Sequence, residues 1–295
     1  MLEKLLIGDN AFIGVSHLSH AQARQKLQQL RLQTIVEVVR EALSHGATGF
    51  TFTVHPTNFE ILKALDDAKT LDAPLELLPV LPYAAGYIRA LNEKGMSGLA
   101  RDVLSRLSSS DRAKVLLKGS VSAVTFDPVG MLNTYVDMEL ANILRMKHAK
   151  VSAVLLHEVL TDLGVVFRSR NLFDRYMRHV RNSYNAIPGF VTRNFVRFVE
   201  FFQDSGLPLE DTLVMTPMNR IGFQMNPSRH ACEECLSRLP TSNVIAMSIL
   251  AGGYIGLEDA IEYLRGLSNL RGIVVGVSSK QHVETFTSLR RLFQS

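Results

Sequence analysis

The feature that most constrains this chain is a rhythm: eight apolar runs of strand length, with segments of helical period between them. The runs are LLIG (5–8), GFTFTV (49–54), LELLPVLP (75–82), VSAVLLHE (151–158), IPGFVTRN (187–194), TLVMTP (212–217), NVIAMSIL (243–250) and RGIVVGVSS (271–279). Runs this continuously apolar are buried on both faces, the condition of a parallel strand whose sheet is covered by helices. Eight strand-helix units in 295 residues predict an α/β chain, a (β/α)8 TIM barrel forming one domain over 1–295. An open doubly wound sheet is the competitor, but it carries a Gly-x-Gly-x-x-Gly turn after its first strand, where this chain reads GDNAFIG. Helical pattern fills 21–46, closed by Gly46, and 58–71, entered through Pro56, Thr57 and Asn58 as cap material. It recurs at 86–107, 132–148, 195–206, 229–238, 257–267 and 280–293, while 161–186 reads as a polar, Arg-rich excursion. Residues 111–131 break the rhythm and predict an extra segment, a strand or hairpin, before strand 4.

Composition narrows the function. With 46% hydrophobic residues the chain can fill one large core. The 32 basic and 28 acidic residues leave a net charge of only +4 with no basic stripe, which argues against nucleic acid as a partner. No run of 18 apolar residues and no basic-then-apolar leader occurs, so the expectation is a cytoplasmic protein without a membrane partner. Its only cysteines, Cys232 and Cys235 in RHACEECLSR, exclude a disulfide framework. With His230 they number three zinc ligands, yet they sit on a helical segment with no second pair and read as helix-face cysteines.

Barrel enzymes place their chemistry at the carboxyl ends of the strands. Those ends offer Asp9 and Asn10; Thr53 and His55; Tyr83; His157 and Glu158; Thr192, Arg193 and Asn194; Thr216 and Asn219; Ser248; and Ser278, Ser279 and Lys280. His157 closes an apolar run, where imidazole suits proton transfer near neutrality; Glu158, one residue on, points the other way as a salt-bridge partner. Asp9, His55 and His157 form the expected acid/base set, and equally a mixed set for a divalent Zn or Mn ion. Asn10, Tyr83, Thr216 and Asn219 are the expected substrate-orienting groups. Gly252 and Gly253 after strand 7, with Ser278, Ser279 and Lys280 opening the last helix, read as an anion or phosphate grip. His17 and His20 rank lower, because Ser16 and Ser19 beside them are cap material.

Three stretches resemble the aldo/keto reductase superfamily: VSAVLLHEV, its strand-4 segment ending in histidine; FQMNPSRHACEECLSRLPTSNVIAMSILAGGYI, its sixth- and seventh-strand region; and GIVVGVSSKQHVETF, its last strand and dinucleotide-phosphate loop. The resemblance implies a TIM barrel that reduces carbonyls with NADPH through an Asp, Tyr, Lys and His tetrad. Only the histidine carries over, onto His157. GFTFTVHPTNFE has neither the aspartate nor the tyrosine, and LELLPVLPYAAG has no lysine, leaving Tyr83 as the phenol near that end. None of the eight runs carries a lysine after Lys4, which argues against a Schiff-base aldolase; strand 7 offers Ser248 in place of a glycosidase carboxylate; strand 1 has no His-x-His. The leading expectation is thus lyase- or isomerase-type proton transfer on a small polar or phosphorylated metabolite, with NADP or a divalent metal as the cofactors left open. A diverged NADP(H)-dependent oxidoreductase is the alternative, followed by a barrel that binds a metabolite or partner without catalysis. Self-association into a homo-oligomer is also left open.

Overall fold

In the computed structural model, which describes residues 3–13, 32–67, 75–82, 127–277 and 283–290, each apolar run forms a parallel strand where the rhythm places it. The strands are β1 (Lys4–Gly8), β2 (Gly49–Thr53), β3 (Leu75–Leu81), β4 (Ala149–Val151), β5 (Ala153–Leu156), β6 (Ile187–Val191), β7 (Leu213–Pro217), β8 (Val244–Met247) and β9 (Leu270–Gly276). Their order is β2-β1-β9-β8-β7-β6-β5-β3-β4, and β2 also pairs with β3, which closes the cylinder. β4 and β5 are one stave interrupted at Ser152, whose N–H donates to the Leu77 carbonyl while its own carbonyl accepts from Ile187 N–H. The result is a closed eight-stave barrel with helices outside, as expected from the sequence.

Strand alternation sorts the apolar residues into two cores. Leu6, Leu78, Val80, Ala153, Leu155, Val191, Leu213, Met215 and Ile245 fill the cylinder. Their neighbours, among them Leu5, Ile7, Phe50, Phe52, Val154, Leu156, Phe190 and Val214, pack outward under the helices. At the amino end Lys4 and Glu76 form an ion pair at 2.5 Å across the cylinder. Space for it comes from two glycines: a Cβ on Gly272 would lie 2.6 Å from the Lys4 carbonyl oxygen, and one on Gly49 2.6 Å from that of Glu76.

The described helices are α1 (Leu32–Ser44), α2 (Pro56–Asp67), α3 (Pro128–Ile143), α4 (Glu158–Val166), α5 (Arg170–Tyr184), α6 (Phe195–Asp204), α7 (Arg229–Ser237), α8 (Leu257–Arg265) and α9 (Glu284–Arg290). The supposed polar excursion is in fact two helices, α4 and α5. In α5, Phe173, Tyr176, Met177 and Val180 are buried at helical spacing while the arginines take the other face. Phe173 and Tyr176 stack on Phe190 of β6 at 5.4 and 5.6 Å. The helix expected over 132–148 is α3, which starts at Pro128 within the supposed extra segment and is docked on α5 by the bidentate Asp127–Arg175 pair (2.6 and 2.7 Å) and by Asp137, which takes bonds from His179 and Tyr184. Residues 111–126 lie outside the described residues. No described helix is long and apolar enough to cross a membrane.

Candidate active site

His157 continues the inward set of Ala153 and Leu155, one residue past the end of β5. Its N–H donates to the Leu81 carbonyl at 2.7 Å, prolonging the pairing with β3. The chain then turns into α4, and Nδ1 of His157 accepts the Val159 N–H at 3.2 Å. A ring nitrogen that accepts carries no proton, so the neutral imidazole holds its proton on Nε2 as a hydrogen-bond donor. Burial lowers the His157 pKa below its ordinary value and the Arg193 charge adds to this, against the opposing pull of Glu158. Glu158 and Arg193 form a two-point ion pair, Nη2–Oε1 at 2.8 Å and Nε–Oε2 at 3.0 Å, in the partnership its position implies. Behind it, Asp162 of α4 accepts from Thr192 Oγ1 at 2.5 Å and from Asn194 Nδ2 at 2.9 Å, strapping the end of β6 to α4. His157 is thus a neutral donor on a wall fixed from two sides.

The opposite wall is tied differently. Asp9 follows β1, and its Oδ2 accepts three bonds: Thr53 N–H at 2.9 Å, Thr53 Oγ1 at 2.9 Å and Asn58 Nδ2 at 2.7 Å. Burial outweighs these donors and raises its pKa above the usual carboxylate range. His55 accepts the Thr57 N–H on Nδ1 at 3.2 Å and the Phe59 N–H on its carbonyl at 3.1 Å. His55 therefore caps α2, while Pro56, Thr57 and Asn58 are its first turn rather than its cap. Asn58, fully buried, divides Nδ2 between Asp9 and the Thr53 carbonyl at 2.9 Å. Sequence reasoning missed this residue, although a polar group in the first turn of a helix above a strand end is a readable signal.

The expected metal set of Asp9, His55 and His157 finds no support here. Among the described residues no three His, Cys, Asp or Glu side chains gather to hold a metal ion. Asp9 is spent on β2 and α2, and each histidine commits a ring nitrogen to its own helix.

The substrate-orienting set also divides. Asn10 is exposed in the turn that follows Asp9. Thr216 is buried on the same side of β7 as Val214, toward the helices, and so is not a mouth group. Asn219 is also buried: its Oδ1 accepts Phe223 N–H at 2.7 Å and its Nδ2 donates to the Phe223 carbonyl at 2.9 Å, so its amide holds the 219–225 loop instead of a ligand. Gly252 and Gly253 have φ of 72° and 101° in the turn after β8, with Ser248 and Ala251 also left-handed at 53° and 50°. Four such residues in six make a tight, preset loop. Tyr83, Ser278, Ser279 and Lys280, like His17 and His20, lie outside the described residues. Cys232 and Cys235 sit on α7 as expected, with thiols pushed up to about 12 and about 11 by burial. Two clefts lie in the helix layer away from the mouth, of about 410 Å³ between α4 and α6 and about 530 Å³ between α7 and α8.

Solved structures share this architecture. One described as "Putative aldo-keto reductase from Pseudomona aeruginosa" aligns over 99% of this chain and 91% of its own, with a TM-score of 0.55 and 9% identity. A second structure from the same organism, under a like description, covers 99% and 92% with a TM-score of 0.55 and 10% identity. At such identity the likeness is one of fold, and at that level the expected (β/α)8 barrel is met. No family model and no curated protein matches the sequence.

Proposed function

We propose that this chain is an NADP(H)-dependent oxidoreductase that reduces the carbonyl of a small polar substrate, with His157 holding the carbonyl oxygen. The observation that carries the reading is the neutral His157: at the carboxyl end of the fourth stave, its Nδ1 is occupied by Val159 and its Nε2–H remains to donate. A positioned neutral donor polarises a carbonyl without surrendering a charge to a partly buried site. The alternative proton-transfer set is weaker, since Asp9 Oδ2 already accepts three bonds.

NADPH, when bound, would supply hydride to the carbonyl carbon, and the alkoxide oxygen held by His157 Nε2–H would take its proton from water. The chain's fit to it rests on the turn after β8, where Gly252 and Gly253 put no side chain in the way of a planar ring. From the sequence, Ser278 to Lys280 would hold its phosphate. The Glu158–Arg193 pair fixes the wall beside His157 and gives a polar substrate its rim.

The test is direct titration with NADPH, followed by fluorescence and thermal shift, and then oxidation of NADPH over a panel of aldehydes and ketones. Saturable binding with a raised Tm is expected, and His157→Ala should still bind NADPH while losing about 10²-fold or more in turnover. Absence of any binding signal removes the oxidoreductase reading, and undiminished turnover in His157→Ala removes the histidine from it.

A further inference from the structure

Helix α4 is apolar on both sides, with Leu160 and Val165 packed against the core. Its barrel side carries Thr161 and Gly164, both buried. Gly164 is packed so closely that a Cβ would meet the Phe173 ring at 2.9 Å. Its outer side carries Val159, Leu163 and Val166, followed by Phe167, with exposures of 49%, 46%, 72% and 73%. The steps of four, three and one place all four along one stripe. A surface helix ordinarily turns a polar face to solvent, so this second, exposed apolar stripe is a sign of a covering partner.

Beside the stripe is the 410 Å³ cleft, floored by Val165 and Phe201 and walled by Arg168, Arg197, Glu200 and Asp204. Arg168 lies 5.8 Å over the Phe201 ring and pairs with Asp204 at 3.3 Å, and Arg197 pairs with Glu200 at 3.1 Å. All four charged side chains are more than half exposed, so these pairs are weak and free to exchange partners. One patch thus holds an apolar knob, a cleft beside it, and both signs of charge, Arg168 and Arg197 against Asp162, Glu200 and Asp204.

A patch that carries both halves of each match is complementary to itself, which is the requirement of a two-fold interface. A partner of one charge sign would meet repulsion as well as attraction here. We propose that the α4 stripe and its adjoining cleft form an isologous interface between two copies of this chain, with Phe167 of each entering the cleft of the other. Covering the four side chains in both copies removes on the order of 800 Å² of apolar surface, about half of a standard interface, and the charged rim supplies the rest.

Sedimentation velocity from about 1 to 100 μM tests this. The wild-type chain should be a dimer in this range. Phe167→Asp and Val166→Asp should weaken association about tenfold or more, with the circular dichroism and Tm of the wild type. Should an Asp variant misfold, Phe167→Ala serves instead, with the same direction expected. A wild-type monomer at about 100 μM, or folded variants that associate as tightly as wild type, overturns the proposal.

Discussion

The two ends of the barrel both bring polar groups into an apolar cylinder, and they satisfy them in opposite ways. At the amino end Lys4 and Glu76 satisfy each other across the cylinder, and two glycines clear the space. At the carboxyl end Asp9, His55 and His157 are satisfied by the first turns of α2 and α4 and by the end of β2. The first arrangement is closed and leaves nothing to offer a ligand. The second leaves His157 with its Nε2–H to donate, and that asymmetry separates an end built for stability from one able to host chemistry.

Three substitutions and one control probe this contrast. The largest effect belongs to the floor: Gly272→Val drives a side chain into the Lys4 backbone, 2.6 Å from its carbonyl oxygen, and should cost about 3 kcal/mol or more in urea unfolding. Gly276→Ala in the same strand, where a Cβ meets nothing within 4 Å, is the control and should stay within about 0.5 kcal/mol. Next comes the mouth. Asn58→Ala removes two bonds from a buried site and should cost about 2 kcal/mol. It also sharpens a pH dependence: the folded state keeps the Asp9 proton above 3.8, so stability falls as pH rises through that window, and loss of a donor to the charged form widens it. Urea midpoints measured from about pH 4 to 8 would read this out. The smallest stability effect is that of His157→Gln, about 0.5–1 kcal/mol for the lost cap. Because the folded-state pKa of His157 lies below 6.5, the unfolded chain takes up the proton first, and wild-type stability declines as pH falls below 6.5; the variant should lose that part of the decline.

What could be read from the sequence follows a physical division. Strand positions were legible because burial on both faces writes a continuous apolar run, and all eight runs became staves. Helix α5 was not, because its arginines masked the buried series Phe173, Tyr176, Met177 and Val180. The same division holds in the site. His157 was legible as the residue closing an apolar run, whereas the use of its Nδ1 depends on how the chain turns after it. Asp9 and Asn58 are 49 residues apart, and only the pairing of Gly8 with Thr51 brings them together. The metal set finds no support for the same reason: a sequence shows which strand ends are polar, but not which neighbour claims each side chain.

The closure of the barrel has a consequence for how the chain is made. β1 lies between β2 and β9, with Lys4 opposite Gly272 and Gly8 opposite Gly276. During synthesis one edge of β1 therefore waits, with its N–H and C=O groups unpaired, until a segment some 265 residues later leaves the ribosome. The partly made barrel is an open, curved sheet with two sticky edges, and its last strand acts as the clasp that removes both.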